Sequence, residues 1–248
     1  ELKEGKGFIK EYKEYYFNQK IKFEGDLLNG EKNGRVKEYF TNSNIKFEGE
    51  YLNGKKHGKG KEYFINGNTL FNGYYRYGKM WNGKIYDHNN NLFYVLREGK
   101  GFIKEFDNVD FRVIYEGEYL NGERNGKGKE YNKFDDILFE GEYLNGKRHG
   151  EGEEYYIANS KLAFKGEYLY GHRIKGKQYY KNKIEFEGEF LYDKKYNGKG
   201  YDENGNITYE LNNGNGKVKE YTTHGYLLFE GEYLNGKRNG YGIEYNLD

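Results

Sequence analysis

The chain is predicted to be all-β, a set of tandem β-hairpins forming an elongated, twisted single-layer antiparallel sheet, an open β-solenoid-like ribbon. Three observations lead there. One phrase returns along the whole sequence: it reads FEGEYLNGKKHGKGKEY at 47–63, YEGEYLNGERNGKGKEY at 115–131 and FEGEYLNGKRHGEGEEY at 139–155. Inside each copy, ring-bearing or glycine positions alternate with charged ones, the period of a strand. The apolar share is carried by 30 Tyr and 17 Phe set against 37 Gly, so burial must come from flat rings lying on bare backbone.

The phrase starts again at Phe23, Phe164, Phe186 and Phe229, with a looser copy at Phe71. Starts about two dozen residues apart lie in the range of array repeats, and about ten units fill 1–248 as a single array. Short-type units fall near 1–22, 93–114 and 207–228, where the span from Leu to the first Gly is compressed. Residues 81–106 align with 196–221 throughout, keeping Asn82 with Asn197, Asp87 with Asp202 and Gly99 with Gly214. Long units are thus punctuated by tight ones.

In the copy at 47–63, Phe47, Gly49 and Tyr51 alternate with Glu48, Glu50 and Leu52 on a first strand. Asn53-Gly54 is a turn signal, because both residues tolerate positive φ. A second strand over 58–63 ends in a further turn at Asn66-Gly67-Asn68, so one repeat is one hairpin. A loop spanning Asn53 to Lys56 would set Tyr51 against Gly58, Gly49 against Gly60, Glu48 against Lys61 and Glu50 against Lys59, covering glycine backbone with rings. The same register would set Glu142 against Glu151 in the copy at 139–155. The sequence contains no proline, in keeping with strands that need every N–H in the ladder.

Composition narrows the function. Hydrophobic residues are 35% and charged ones 33%, too polar for a thick closed core, while 19% aromatic content and a net charge of +1 argue against disorder. Lys and Glu are interspersed, so neither a nucleic-acid stripe nor a polybasic membrane anchor is expected. There is no cysteine, which removes disulfides, thiolate metal sites and cysteine nucleophiles and makes a cytoplasmic setting the expectation. No long apolar run stands out, so neither a membrane-spanning helix nor a secretion signal is expected, and a chain beginning at Glu1 reads as excised from something longer.

The pattern Y/F-x-G-x-Y-x-x-G-x-x-x-G-x-G, filled by Phe47, Gly49, Tyr51, Gly54, Gly58 and Gly60, resembles the MORN (membrane occupation and recognition nexus) repeat family over nearly the whole chain. The resemblance implies an elongated antiparallel sheet used in scaffolding, self-association or partner docking, often in cytoskeletal or membrane-associated assemblies. It also implies two alternatives, a phosphoinositide-binding membrane tether and an antitoxin- or immunity-type inhibitor.

Catalytic and metal constellations are not expected. His57 and His149 fill the slot that Asn33, Asn125 and Asn239 take in sister copies. The Asp202 loop starts like a calcium loop, but Ile207 and Asn213 stand where the required Gly and Glu should be. No Gly-Lys is followed by Ser or Thr, and neither serine, Ser43 nor Ser160, sits in a nucleophile elbow. Glu48 and Glu50 recur from copy to copy as a solvated face. The reading is a non-enzyme with no cofactor, no metal, no small-molecule substrate and no nucleic acid, whose partner is a protein or a second copy. The expected contact is an aromatic stripe of Tyr51, Tyr119, Tyr143, Tyr168, Phe190 and Tyr233, part of which packs between repeats. On the membrane alternative, Lys59, Lys61, Lys127 and Lys129 would meet lipid.

Overall fold

The computed structural model describes residues 5–15, 18–222 and 226–246. Parts of the short units near 1–22 and 207–228 therefore lie outside the described residues. The described chain forms strands joined by turns, with no helix. An eight-stranded antiparallel sheet holds β1 (Lys6–Tyr15), β2 (Asn18–Leu28), β3 (Glu31–Tyr39), β4 (Ile45–Leu52), β5 (Lys55–Tyr63), β6 (Thr69–Arg76), β7 (Lys79–Tyr86) and β8 (Leu92–Leu96) in chain order. A thirteen-stranded sheet holds β9 (Gly101–Phe106), β10 (Val113–Leu120), β11 (Glu123–Tyr131), β12 (Ile137–Leu144), β13 (Lys147–Tyr155), β14 (Leu162–Leu169) and β15 (His172–Tyr180). It continues through β16 (Lys183–Leu191), β17 (Lys194–Tyr201), β18 (Ile207–Asn212), β19 (Asn215–Tyr221), β20 (Leu227–Leu234) and β21 (Lys237–Glu244). Sheet neighbours are chain neighbours throughout, as a hairpin array requires. Between β8 and β9 only the isolated bridge Arg97–Lys100 forms, and the sheets separate there. The chain divides into two compact units, Glu1–Glu123 and Arg124–Asp248.

The hairpin turn is tighter than the four-residue loop expected from the sequence. Asn53 (φ 49°) and Gly54 (φ 73°) form the whole turn, with Leu52 opposite Lys55 and Tyr51 opposite Lys56. Two positive-φ residues give the turn whose twist matches the flanking strands. Further along, Gly49 does face Gly60 and Glu48 faces Lys61. The offset is absorbed by a bulge across from Glu50, where Gly58 takes φ 71°. Tyr51 therefore does not face Gly58, and Glu50 does not face Lys59: Glu50 pairs in register with Arg35 of β3, and Lys59 with Tyr74 of β6. The predicted Glu142–Glu151 opposition is likewise absent, since the same bulge between β12 and β13 leaves Glu142 without a register partner on β13.

Phe47 is fully buried over the Gly49–Gly60 pair and sits edge-on between Tyr51 of its own hairpin (5.5 Å, 88°) and Tyr75 of the next (5.5 Å, 83°). In the second unit Phe139 does the same between Tyr143 (5.5 Å) and Tyr168 (5.1 Å). Such edge-to-face pairs add about 0.5–1.5 kcal/mol each beyond area burial. Successive turns are tied by the amide of the turn glycine. Gly54 N–H donates to the Lys32 carbonyl (2.9 Å), Gly78 to Lys56 (2.8 Å) and, in the second unit, Gly171 to Arg148 (2.8 Å).

The two tight units repeat one another in detail. Asn82 Oδ1 accepts the Glu98 amide (2.7 Å) as Asn197 Oδ1 accepts the Asn213 amide (2.6 Å). Asp87 gathers the amides of Asn89 and Asn91, and Asp202 those of Asn204 and Asn206. The Asp202 carboxylate thus organises its own turn. Asn82→Ala should cost about 1 kcal/mol, the worth of one such bond. Urea unfolding checks this, and an unchanged midpoint would remove the cap's role.

Candidate functional site

Each sheet presents three distinct surfaces: a ring face, a charged face and the row of hairpin turns. On the ring face of the long hairpins, a cation from the start of the second strand lies over the Phe ring and reaches a Glu near the end of that strand or of the second strand before it. Lys56 Nζ is 4.3 Å from the Phe47 centroid and 3.0 Å from Glu62, which also accepts the Tyr75 hydroxyl (2.9 Å). In the second unit Arg148 covers Phe139 at 4.2 Å and reaches Glu130 at 2.6 Å, while Arg173 reaches Glu154 at 2.7 Å. Glu154 accepts the Tyr168 hydroxyl at 3.0 Å. A ladder of cation, carboxylate and phenol therefore caps the rings.

This places the six residues of the aromatic stripe. Tyr51, Tyr143, Tyr168 and Phe190 are 3–7% exposed, and Tyr119 and Tyr233 are half-buried. Packing between repeats takes most of the stripe, because each tyrosine is closed between two Phe rings or beneath the ion ladder.

The charged face carries cross-strand pairs of opposite sign. Lys129 meets Glu140 at 3.1 Å, Lys165 meets Glu153 at 2.8 Å and Lys177 meets Glu187 at 3.4 Å. Of the four lysines singled out for lipid, Lys129 is thus paired. Lys61 lies 4.8 Å from the Tyr63 ring and opposite Glu48, Lys59 lies 5.8 Å from the Tyr74 ring, and Lys127 stands opposite Glu142. They are spread among carboxylates and do not gather into one basic patch.

The ladder makes stability depend on pH at both ends. Burial alone would raise the Glu38 carboxyl, but Lys32 and the Tyr51 hydroxyl hold it below 4.5. Burial acts likewise on Glu220, and Arg238 and the Tyr233 hydroxyl hold it down. A carboxyl lowered by folding stabilises above its unfolded pKa, so stability should fall as pH drops below about 4.5. Tyr39, Tyr155 and Tyr156 are pushed up to about 12, by burial first and then by neighbouring carboxylates. Their stabilising contribution is complete below 10 and fades as pH rises towards 12. Absorbance at 295 nm should show phenols that resist ionisation near pH 10 in the folded chain and release it in urea. A single transition near 10 in both would contradict the burial.

The MORN repeat family matches residues 47–69, 115–132, 139–160 and 229–246. These four segments are MORN repeats. No curated protein matches the chain. The matched segments cover most of the long hairpins β4–β5, β10–β11, β12–β13 and β20–β21, whereas the tight MORN-like units fall outside them. MORN repeats in general are modules for membrane or protein interaction.

Two features of this MORN array were not anticipated from the sequence. One is a buried ion pair: Lys195 (7% exposed) reaches both oxygens of Glu185 (4%) at 2.8 and 2.6 Å, with the Tyr209 hydroxyl at 3.0 Å and the Lys219 carbonyl at 2.6 Å. Its sequence signal is Gly200, standing before Tyr201 where long units have Glu before Tyr, so that the carboxylate comes from another strand. The other is the leucine of Y-L-N-G. Leu52, Leu120, Leu169, Leu191 and Leu234 are 42–50% exposed beside the turns. Strict alternation after a buried tyrosine was the signal for it. The histidines sit on turn rings: His57 lies 5.6 Å from Tyr77 and His149 5.3 Å from Tyr170.

Proposed function

We propose that this MORN-repeat chain is a non-catalytic scaffold that docks protein partners, without cofactor or small-molecule substrate, in the cytoplasm. One observation carries the reading. The same exposed apolar side chains return beside turn after turn, while the charges of both faces are largely neutralised in pairs within the sheets. Exposed apolar groups at a fixed repeat mark a contact surface. In the aromatic stripe, the half-buried Tyr119 and Tyr233 are the members a partner can reach, the other four being buried. Pairing of Lys129 with Glu140 gives less support to a membrane tether.

In-cell cross-linking followed by mass spectrometry tests this reading, with flotation on vesicles containing phosphoinositide as the second arm. Protein adducts mapping to the turn rows, without flotation, are expected. Flotation without protein adducts would overturn the scaffold in favour of the tether.

A further inference from the structure

The turn row of the second unit differs from its strand bodies in one respect. On the strand bodies Lys129, Lys165, Lys177, Lys199 and Lys219 form ion pairs, whereas among the described residues Lys147, Lys194 and Lys237 have no ion-pair partner and are exposed. Each stands directly opposite a leucine across its turn: Leu144 with Lys147, Leu191 with Lys194, Leu234 with Lys237. Opposed residues of an antiparallel pair leave the same face. Nearby carboxylates are already opposed by other lysines, Glu142 by Lys127, Glu189 by Lys175 and Glu232 by Lys217. The intervening turn has Leu169 opposite His172, whose Nδ1 is 2.7 Å from Asp193. Over three consecutive turns Leu144, Leu169 and Leu191 therefore run beside the unpaired ammonium groups of Lys147 and Lys194, and the next turn breaks the row with Asn212 opposite Asn215.

The turns of this row also accept strain in order to show rings. Tyr170 and Tyr192 occupy left-handed backbone (φ 50° each) at the position that Asn145 and Asn235 fill elsewhere, and they are 53% and 76% exposed. A bulky residue with positive φ is disfavoured relative to Asn. Leu169, Tyr170, Leu191 and Tyr192 thus form an apolar patch on consecutive hairpins.

We propose that this turn row docks an acidic amphipathic α-helix of a partner protein, laid across the strands. The inference deepens the scaffold reading and rests on it. Hairpins two strands apart repeat every ~9.6 Å, and a helix returns to the same face after seven residues, ~10.5 Å. Over the two steps from Leu144 to Leu191 the mismatch stays under about 2 Å. Apolar residues at every seventh position would then meet Leu144, Leu169 and Leu191, and flanking Asp or Glu would meet Lys147 and Lys194. The charge complementarity selects this occupant over a basic helix.

The test uses the full chain and a fluorescein-labelled 21-residue peptide with Leu at every seventh position, Glu on both flanks and Ala elsewhere. Anisotropy should show binding that weakens at least tenfold in a Leu169→Ser/Leu191→Ser variant and in a Lys147→Glu/Lys194→Glu variant. The second variant should instead prefer the same peptide with Lys in place of Glu. These positions are exposed, and circular dichroism confirms that the variants fold. Binding indifferent to both variants, or none up to millimolar peptide, overturns the proposal. So does a doubled solution mass lost in the leucine variant, which would make the occupant a second copy, or flotation on anionic vesicles lost in the lysine variant. If in-cell adducts persist in the leucine variant, helix docking here fails while the scaffold reading stands.

Discussion

Lys195→Ala should destabilise the chain by about 4 kcal/mol, because it leaves the Glu185 carboxylate buried without its cation. Glu185 would keep only the Tyr209 hydroxyl (2.8 Å) of its present partners. Replacing both members with apolar residues, Lys195→Met with Glu185→Leu, should return stability to within about 1 kcal/mol of the parent. The protein already uses the apolar solution in its other tight unit. Met80 stands opposite Tyr75 as Lys195 stands opposite Phe190, and Ile85, 1% exposed, takes the place of Gly200. Urea unfolding of the single and double variants decides it. A single variant that loses under 1 kcal/mol would mean water reaches Glu185, and a double variant as weak as the single would mean that the pair itself fixes the local packing.

Gly49→Ala should cost about 3 kcal/mol, at the upper end for overpacking a tight interior. A Cβ there would lie 2.6 Å from the Gly60 Cα, 2.7 Å from the Lys59 carbonyl and 2.8 Å from the tip of the Phe47 ring. Two of those neighbours are backbone of the paired strand and cannot rotate away. The comparison is Gly54→Ala, where the nearest atom is 3.7 Å away and only the left-handed backbone (φ 73°) is strained; about 1 kcal/mol is expected there. Equal losses at the two positions would show that the ring does not hold the two strands at closest approach.

Much of the fold was legible because its determinants are local. Alternation in F-E-G-E-Y-L set the faces, Asn-Gly set the turn, and the spacing of Asn82 and Asp87 against Asn197 and Asp202 matched two units that prove alike to the hydrogen bond. The bulge was not legible, since Gly58 reads equally well as an ordinary strand glycine until its φ is known. Separation of the sheets after β8 depends on how one short hairpin closes, which the alternation does not encode. The surface was harder. Counting rings suggested a stripe open to partners, but Lys56 and Glu62 belong to the same strand and close over it, an arrangement set by the hairpin offset. Glu185 could not be matched to Lys195 from spacing, because β16 and β17 bring them together only through the displaced register. The Y-L-N-G leucine was in plain view and followed from the alternation; attention to aromatic residues hid it.

The amide that ties each turn glycine to the hairpin before it also governs how the eight-stranded sheet would respond to force. Gly54 holds Lys32 and Gly78 holds Lys56, so load applied at one end reaches the next hairpin only after the previous tie has opened. The ladder would unzip serially, each event freeing one repeat of about 24 residues and about 80 Å of slack. Such an array behaves as a spring with a stepped extension, giving way by whole periods and rewinding against whatever neighbour is still in place.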